Sequence, residues 1–509
     1  MSSTDNPNRP NLVFVFSDRQ RFDTMSCYGN DWINTPNLNA MGDESFVFDN
    51  CYVTQAVCAP ARSSIMTGLF PHATGVPTNK LNMLSGINTI AEMLPGEYKK
   101  GYFGKWHLGD EVIPQHGFTE WRSVMEEYYN EYTNQDFLSL NTNYHDFLLE
   151  NGFEPDLESP AGKIFSDDFR VSLPAEFQIA SYLANEASEF IKSNNENPFV
   201  LYVSFLEPHP PFSGPFDGQY DPAELPVDET FLKYPKGHSL FNRLRSEFFM
   251  KQKFSMASEK SEDDQWNEFR DTYHKNTHYV GHDVSDEQGW RKLRSGYMAN
   301  ISLVDNAVGK ISSAIDQAGI KDNTIFIFTS EHGDLVGSHG MLEMRTFYEY
   351  AAKVPMLMRI PWLQTDQTRI GGNFSQIDLV PTLMDLMNCE VPDKLHGESR
   401  KTNLENKVNL SGNDVFMEHN GIQDRDLGNP MINLLNTLHW RSIVTEDRWK
   451  LNLCASDQCE LFDLNNDPYE EVNLFNDPKH IDRIRIMTAK ILKWQKSVDD
   501  WHNVTIPTI

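Results

Sequence analysis

The chain has 509 residues, with 44 lysines and arginines against 73 aspartates and glutamates, a formal net charge of −29. That length normally makes two or three domains around a sizeable core, and the charge argues against non-specific binding to nucleic acid or to an anionic membrane surface. On that charge no nucleic-acid partner is expected, and since no run of 18 apolar residues exists, no membrane span is expected either.

Met1 to Pro10 is polar and lacks the apolar stretch of a signal peptide. The chain therefore reads as cytoplasmic as it stands, or as periplasmic or secreted if a native signal has been removed. Leu12 to Phe16 is a continuous, β-rich apolar run ending at Ser17-Asp18, the pattern of a strand buried on both faces of a parallel sheet. Phe199 to Phe205 and Thr324 to Thr329 repeat it. Phe177 to Ile191 reads as a helix leading into the former. Before the latter, Met298, Ile301, Val304, Val308, Ile311 and Ile315 recur at steps of three and four, with Gly319 as a stop. Strands alternating with helices predict an α/β sheet covered by helices on both faces. In such sheets ligands gather beyond the carboxyl ends of the strands, where Ser17-Asp18, Glu207-Pro208-His209 and Glu331-His332 fall.

Glu120 to Val171 and Ser213 to Arg294 are rich in aromatic and charged residues without a clean period. They read as insertions around the mouth of the site, where substrate choice is commonly set, or as plain surface elaboration. Beyond about residue 410 the character changes. Trp440 to Val444 and Trp449 to Leu451 look like short antiparallel strands and Ile481 to Val498 like a helix. The expected organisation is a main domain over 1–409, with its insertions near 120–171 and 213–294, and a smaller α+β subdomain over 410–509. The six cysteines are too scattered for a disulfide scaffold. Cys454 and Cys459 read equally as a bridge in an oxidising compartment or as two free thiols.

The most specific run is Cys58-Ala59-Pro60-Ala61-Arg62-Ser63-Ser64-Ile65-Met66-Thr67-Gly68. It is C-x-P-x-R, four residues, then T-G, and five fixed positions in eleven weigh against a merely buried cysteine. Gly104-Lys105-Trp106-His107-Leu108-Gly109, Pro208-His209, Glu331-His332-Gly333, Arg345-Thr346-Phe347-Tyr348-Glu349, Ile377 to Thr382 and Glu460 to Leu464 follow in order. With these motifs the chain resembles the type I, formylglycine-dependent sulfatases of the alkaline-phosphatase-like superfamily over nearly its whole length.

The resemblance implies a large mixed, mostly parallel sheet sandwiched by helices, plus a C-terminal subdomain with a short antiparallel sheet. It implies that a maturation enzyme oxidises Cys58 to formylglycine, whose hydrate attacks a sulfate ester. It also implies a divalent cation, Ca²⁺ by analogy, held by Asp18, Cys58, Glu331 and His332. Arg62 and Lys105 would place positive charge where the transition state gathers negative charge. His107 would be the base, and His209 would protonate the leaving alkoxide. Arg345, Arg19 and His339 would contact substrate. That substrate is expected to be a sulfated saccharide, with Trp121, Tyr128, Tyr129, Trp266 and Trp290 available to stack on sugar rings. Association into a homo-oligomer stays open.

Three positions depart from the family pattern. Arg19 stands where a second acidic or amide ligand is usual, and a guanidinium has no acceptor for a metal. Glu331 replaces an aspartate, and Met344 replaces a lysine that would meet sulfate. The alternatives are a phosphonate or phosphate monoester hydrolase using the same nucleophile, or a weakened protein that only binds sulfated glycans.

Overall fold

Every side chain of Asn11–Ser17 (β1) is buried, so this strand needs packing on both faces and hydrogen-bonding neighbours on both edges. Both needs are met in the computed structural model, which describes residues 9–255, 284, 286–421, 429–502 and 504. The remaining strands in chain order are β2 (Phe46–Tyr52), β3 (Lys99–Gly104), β4 (Glu120–Arg122), β5 (Leu157–Ser159), β6 (Gly162–Ile164), β7 (Phe199–Ser204) and β8 (Thr324–Ser330). They continue with β9 (Lys353–Val354), β10 (Met356–Arg359), β11 (Thr368–Ser375), β12 (Val415–Asn420), β13 (His439–Val444), β14 (Trp449–Cys454) and β15 (Glu460–Asp463).

The main sheet runs β11-β2-β10-β8-β1-β7-β3-β4, with β9 beside β2. β1 pairs in parallel with β7 and β8, and β3 with β7 and β4, whereas β10 is antiparallel to both β8 and β2. The sheet is thus mixed and mostly parallel, as expected. Alternation along β1 divides the core. Leu12, Phe14 and Phe16 join Ile65 and Met66 of the Cys58–Thr67 helix on one face. Val13 and Val15 join Leu183 of the Ile179–Ser193 helix and Val304 and Ile311 of the Glu287–Gln317 helix on the other. Each such aliphatic or aromatic side chain contributes roughly 1.5–3 kcal/mol by leaving water.

Of the segments expected to be insertions, residues 256–283 and 285 lie outside the described residues, and several of the others pack into the main domain. Glu120–Arg122 is an edge strand of the main sheet, paired with β3. The helix expected from Met298 starts at Glu287, capped by the Asp286 side chain accepting from Gly289 N–H. Its first turns carry Arg291, Lys292 and Arg294, which hide the apolar period. Arg294 is nevertheless buried, ion-paired with Asp228 at 3.0 Å. Trp121 and Trp290 are core residues, 5% and 1% exposed, so the expected sugar-stacking role does not apply to them. Both indoles are large apolar surfaces that the adjoining strand and helix bury more readily than they expose. Trp266 lies outside the described residues.

Beyond residue 410 an antiparallel sheet, β12-β13-β14-β15, packs under the Ile481–Ser497 helix around Ile443, Leu451, Leu461, Ile491 and Trp494. Glu418 N–H donates to Thr54 O at 2.8 Å, tying this sheet to the loop before Cys58. Cys454 and Cys459 are buried free thiols here, Cys459 Sγ lying 3.4 Å from Cys454 O. Among the described residues no helix is long and apolar enough to cross a membrane.

Candidate active site

The carboxyl ends of β1, β3, β7 and β8 meet the amino end of the Cys58–Thr67 helix. Cys58 is the first residue of that helix and is buried. Pro60 sits in the first turn, where its missing N–H loses no helical hydrogen bond, and the helix dipole turns its positive end towards Cys58. Donor atoms of Asp18 after β1, Cys58, and Glu331 and His332 after β8 all lie within 4.8 Å of one another, and all four residues are buried. His332 Nδ1 lies 2.8 Å from Gly333 O, so Nε2 is the nitrogen aimed at Cys58 Sγ, 3.3 Å away. Gly333 is needed just there, since a Cβ would collide with the Tyr350 carbonyl.

Two cations close this cluster. Lys105 Nζ donates to Asp18 Oδ2 at 2.6 Å. Burial would lower the pKa of Lys105, but Asp18 and then Cys58 hold it well above the ordinary lysine value. Arg62, fully buried, donates to Ser204 Oγ at 2.7 Å and to the Lys105 carbonyl, reaches Asp18 Oδ2 at 3.5 Å and ion-pairs through Nε with Glu331. Burial alone would raise the pKa of Glu331, yet Arg62 and His332 hold it well below the usual carboxylate range. The additional methylene of Glu331 is therefore accommodated by a fixed partner, and its carboxylate stays in the cluster. Burial also opposes protonation of His332, but Cys58 and Glu331 raise its pKa to about 10, so a cation binding there displaces a proton.

The residues present fit a divalent ion. Asp18 Oδ1 is buried without a hydrogen-bond partner, and two carboxylates, an imidazole nitrogen and the Cys58 side chain converge on one point.

Lys105 and His107 follow β3 through Gly104, whose φ of 117° only glycine adopts easily and where a Cβ would strike the Ser204 carbonyl. The turn is pinned by Glu111, which sequence reasoning missed. Its carboxylate accepts from Trp106 N–H at 3.1 Å and from His107 N–H at 2.6 Å. Burial, then the charges of Lys105 and Arg62, hold the His107 pKa well below the ordinary value, so the imidazole is neutral at neutral pH. Tyr128 stacks on it at 4.4 Å, with Lys105 Nζ 5.6 Å from the same tyrosine ring. One face of the Tyr128 ring is thus covered by the imidazole. Tyr129 is half-buried.

Other expected residues stand further out. His209 follows β7 and lies in a small cavity of about 30 Å³ with Glu207, Arg170, Gln178 and Asn300, its Nδ1 2.8 Å from Pro210 O. Arg19 Nη1 pairs with Asp334 Oδ2 at 3.0 Å, both buried, so its charge is compensated inside the protein. Met344 is buried, and its carbonyl accepts from Arg245 Nη2 at 2.8 Å. Arg345 N–H donates to Ala56 O at 3.0 Å, and its Nη1 reaches Glu343 at 3.3 Å. His339 stacks on Tyr348 at 3.9 Å, and burial with His238 lowers its pKa to about 3. Arg19, His107, His339 and Arg345 all hold φ between 53° and 71°. Such strain costs on the order of 1 kcal/mol or more each and collects at functional sites.

Residues 10–389 match the sulfatase family model, and residues 337–497 match the C-terminal region of N-sulphoglucosamine sulphohydrolase. The chain belongs to the sulfatase family. It is 24% identical to an N-acetylglucosamine-6-O-sulfatase of Bacteroides thetaiotaomicron, over 97% of this chain and 87% of that protein. Among solved structures it resembles one holding D-glucosamine-2-N,6-O-disulfate, with a TM-score of 0.74 and 21% identity over 97% of this sulfatase and 99% of that chain. A phosphonate monoester hydrolase of Agrobacterium radiobacter gives a TM-score of 0.71 at 22% identity, over 96% of both chains. This sulfatase is accordingly a sulfuric ester hydrolase of the alkaline-phosphatase-like fold.

Proposed function

We propose that the chain hydrolyses a sulfate monoester carried on a saccharide, at a nucleophile made from Cys58. The observation that carries this reading is the convergence of Asp18, Cys58, Glu331 and His332 within 4.8 Å, braced by Lys105 and Arg62. The saccharide part is supported by the sulfated-glucosamine relatives.

Asp18, Glu331 and His332 would hold a divalent cation. The carboxylates suit Ca²⁺, and the imidazole nitrogen extends the choice to borderline ions. When bound, the cation supplies polarising charge, and Cys58, once oxidised by a maturation enzyme to the aldehyde and hydrated, supplies the attacking oxygen. Lys105 and Arg62 hold fixed positive charge beside that point, in a dry pocket where such charge acts strongly. His107, neutral and buried, takes a proton on its ring. His209 gives one to the departing alkoxide. Arg345 supports anion binding near the Cys58 loop in the absence of the lysine replaced by Met344.

The test is desulfation of a panel of defined sulfated saccharides, beside matched phosphate and phosphonate esters, with mass spectrometry of the Cys58 peptide from the same preparation. Sulfate release from a saccharide, with aldehyde at Cys58, is the expected result. Faster turnover of the phosphorus esters assigns the chain to the other chemistry. Persistent thiol in a host that carries the maturation enzyme assigns it to glycan binding.

A further inference from the structure

Glu418 of β12 is a fully buried carboxylate, so its charge needs a partner. His72, in the Pro71–Thr74 helix, supplies one. His72 N–H donates to Glu418 Oε1 at 2.8 Å, and His72 Nδ1 lies 2.6 Å from Glu418 Oε2. The other ring nitrogen, Nε2, lies 3.0 Å from the carbonyl of Val498, just past the Ile481–Ser497 helix. A carbonyl and an ionised carboxylate only accept hydrogen bonds. Both ring nitrogens therefore donate, which makes His72 an imidazolium.

The groups around the pair agree with that charge. Burial opposes it, but Glu418, then the Val498 carbonyl and Asp500, raise the pKa of His72 above the ordinary value. Burial would likewise raise Glu418, yet His72, then Arg441 and Asn420, hold it below the ordinary value. Asp500 is in turn bound by Arg441 at 2.6 Å. A second imidazole, His396, has its ring centre 5.9 Å from that of His72. Its Nδ1 accepts from Phe70 N–H at 3.2 Å. Burial and then the His72 charge lower its pKa to about 4, against a smaller pull from Glu418 and Asp499. His396 is therefore neutral, and the charge sits on His72.

The pair reaches the loop that leads into Cys58. Glu418 N–H donates to Thr54 O at 2.8 Å, and Thr54 Oγ1 donates to Ser64 Oγ of the Cys58–Thr67 helix at 2.7 Å. Asn420 Nδ2 donates both to Glu418 Oε1 at 2.8 Å and to Gln55 Oε1 at 2.9 Å. The carboxylate that His72 holds thus anchors this loop at two neighbouring residues. Without its proton, His72 would turn a ring lone pair on an acceptor, either Glu418 or the Val498 carbonyl, in a place where such a contact is costly.

We propose that His72 and Glu418 are positioning residues for the Cys58 loop, joined as a proton-dependent clamp. The imidazolium holds β12 against Thr54 and Gln55, and loss of its proton loosens that hold. The effect on turnover rests on the Cys58 reading above; the clamp itself does not. A histidine whose pKa is raised on folding gives its full stabilisation below the ordinary value of 6.5 and loses it as pH rises through the folded value. The clamp therefore opens on the alkaline side.

The test first reads the clamp without turnover. Hydrogen exchange at Glu418 N–H, corrected for the intrinsic effect of pH, is followed from about pH 6 to about pH 9. It is compared between the parent and a double variant, His72→Gln with Glu418→Gln, a neutral pair that keeps a donor and an acceptor. Exchange should quicken about tenfold in the parent, the size of one hydrogen bond, and stay level in the double variant. Carbon-13 NMR of the His72 ring, assigned by its loss in His72→Gln, should show titration above the roughly 6.5 of a free histidine. Level exchange in the parent, or titration at or below that value, overturns the clamp. Should the double variant fail to fold, these two measurements on the parent decide. The second reading uses whichever ester, sulfate or phosphorus, the chain cleaves. The kcat of the parent divided by that of the double variant should fall about tenfold over the same pH range, with KM unchanged. A constant ratio overturns the positioning role. If no ester is cleaved, the Cys58 reading fails and the positioning role with it, while exchange and titration still decide the clamp.

Discussion

Arg19 Nη1 and Asp334 Oδ2 meet at 3.0 Å in a fully buried ion pair, and Asp334 Oδ1 accepts the N–H groups of Val336 and Glu343. The residue standing at a usual ligand position thus braces the turn after Glu331-His332. Breaking one half of such a pair strands the other charge, at a cost of about 3–5 kcal/mol. Arg19→Met should lower stability by that amount in denaturant titration, and Arg19→Met with Asp334→Asn by clearly less. For the cation, Arg19→Asp with Asp334→Asn adds a carboxylate and removes the charge of its present partner, Asp334. It should tighten Ca²⁺ binding about tenfold, the scale of one favourable charge contact. An unchanged calorimetric Kd would mean that position 19 is out of reach of the ion.

The Tyr128 ring stacks on His107 at 4.4 Å, and Lys105 Nζ lies 5.6 Å from the same ring. Replacing it by leucine removes a flat wall that holds the imidazole plane, whereas phenylalanine keeps the wall. Tyr128→Leu should lower kcat about tenfold, the scale of a misplaced proton transfer, with KM little changed. Tyr128→Phe should restore most of it. A rise in KM with constant kcat would place Tyr128 on the substrate instead.

Much of this site is legible in the sequence because its parts are local. Cys58 and Arg62 share one helix, Lys105 and His107 one turn, and Glu331 and His332 one strand end, so short motifs carry them. The strands read well for the same reason, since burial on both faces leaves unbroken apolar runs at β1, β7 and β8. What sequence hid are the partners brought in from afar. Asp334 for Arg19 and Tyr128 for His107 meet only through folding. Trp121 and Trp290 misled because composition does not distinguish an aromatic at a mouth from one in a core. Buried arginines such as Arg294 and Arg245 likewise make core helices look like surface.

Glu111 anchors the Trp106-His107 turn with its pKa raised by burial from 4.5 to about 7. Between those values the folded chain keeps a proton that the unfolded chain has released. The folded state then binds more protons, so this group's contribution to stability falls as pH rises from about 4.5 to 7 and is level above that. The full change is about 3 kcal/mol. Glu111→Gln removes the titration while keeping an acceptor for one amide. The stability of the parent minus that of the variant, measured by denaturation, should fall by about this amount between roughly pH 5 and pH 8. A flat difference would show that Glu111 stays ionised throughout.

Cys58 and His107 are buried, but their side chains are smaller than core aromatics such as Phe14 or Tyr202. Cys58→Ser is nearly isosteric, and His107→Ala leaves the Glu111 contacts, which are to backbone N–H groups. Both variants should fold, with circular dichroism like the parent, and both should lose turnover. Retention of more than about a tenth of the activity by either would contradict the roles assigned here, since removing a nucleophile or base costs at least about a hundredfold.

Lys105 bears on catalysis and on the ion in opposite directions. Its Nζ holds Asp18 Oδ2 at 2.6 Å, so it shares the carboxylate that a cation would also use. Lys105→Met removes that competition and one positive charge from the cluster, and a divalent ion should bind about tenfold more tightly. The same change removes fixed positive charge from the place where negative charge grows in the transition state, so kcat should fall at least about a hundredfold. Asp18 keeps Arg62 at 3.5 Å, which limits the loss of stability in the metal-free protein. Tighter binding together with slower turnover is the signature, read by calorimetry and steady-state kinetics on one preparation. Weaker binding would show instead that Lys105 orients Asp18 for the ion.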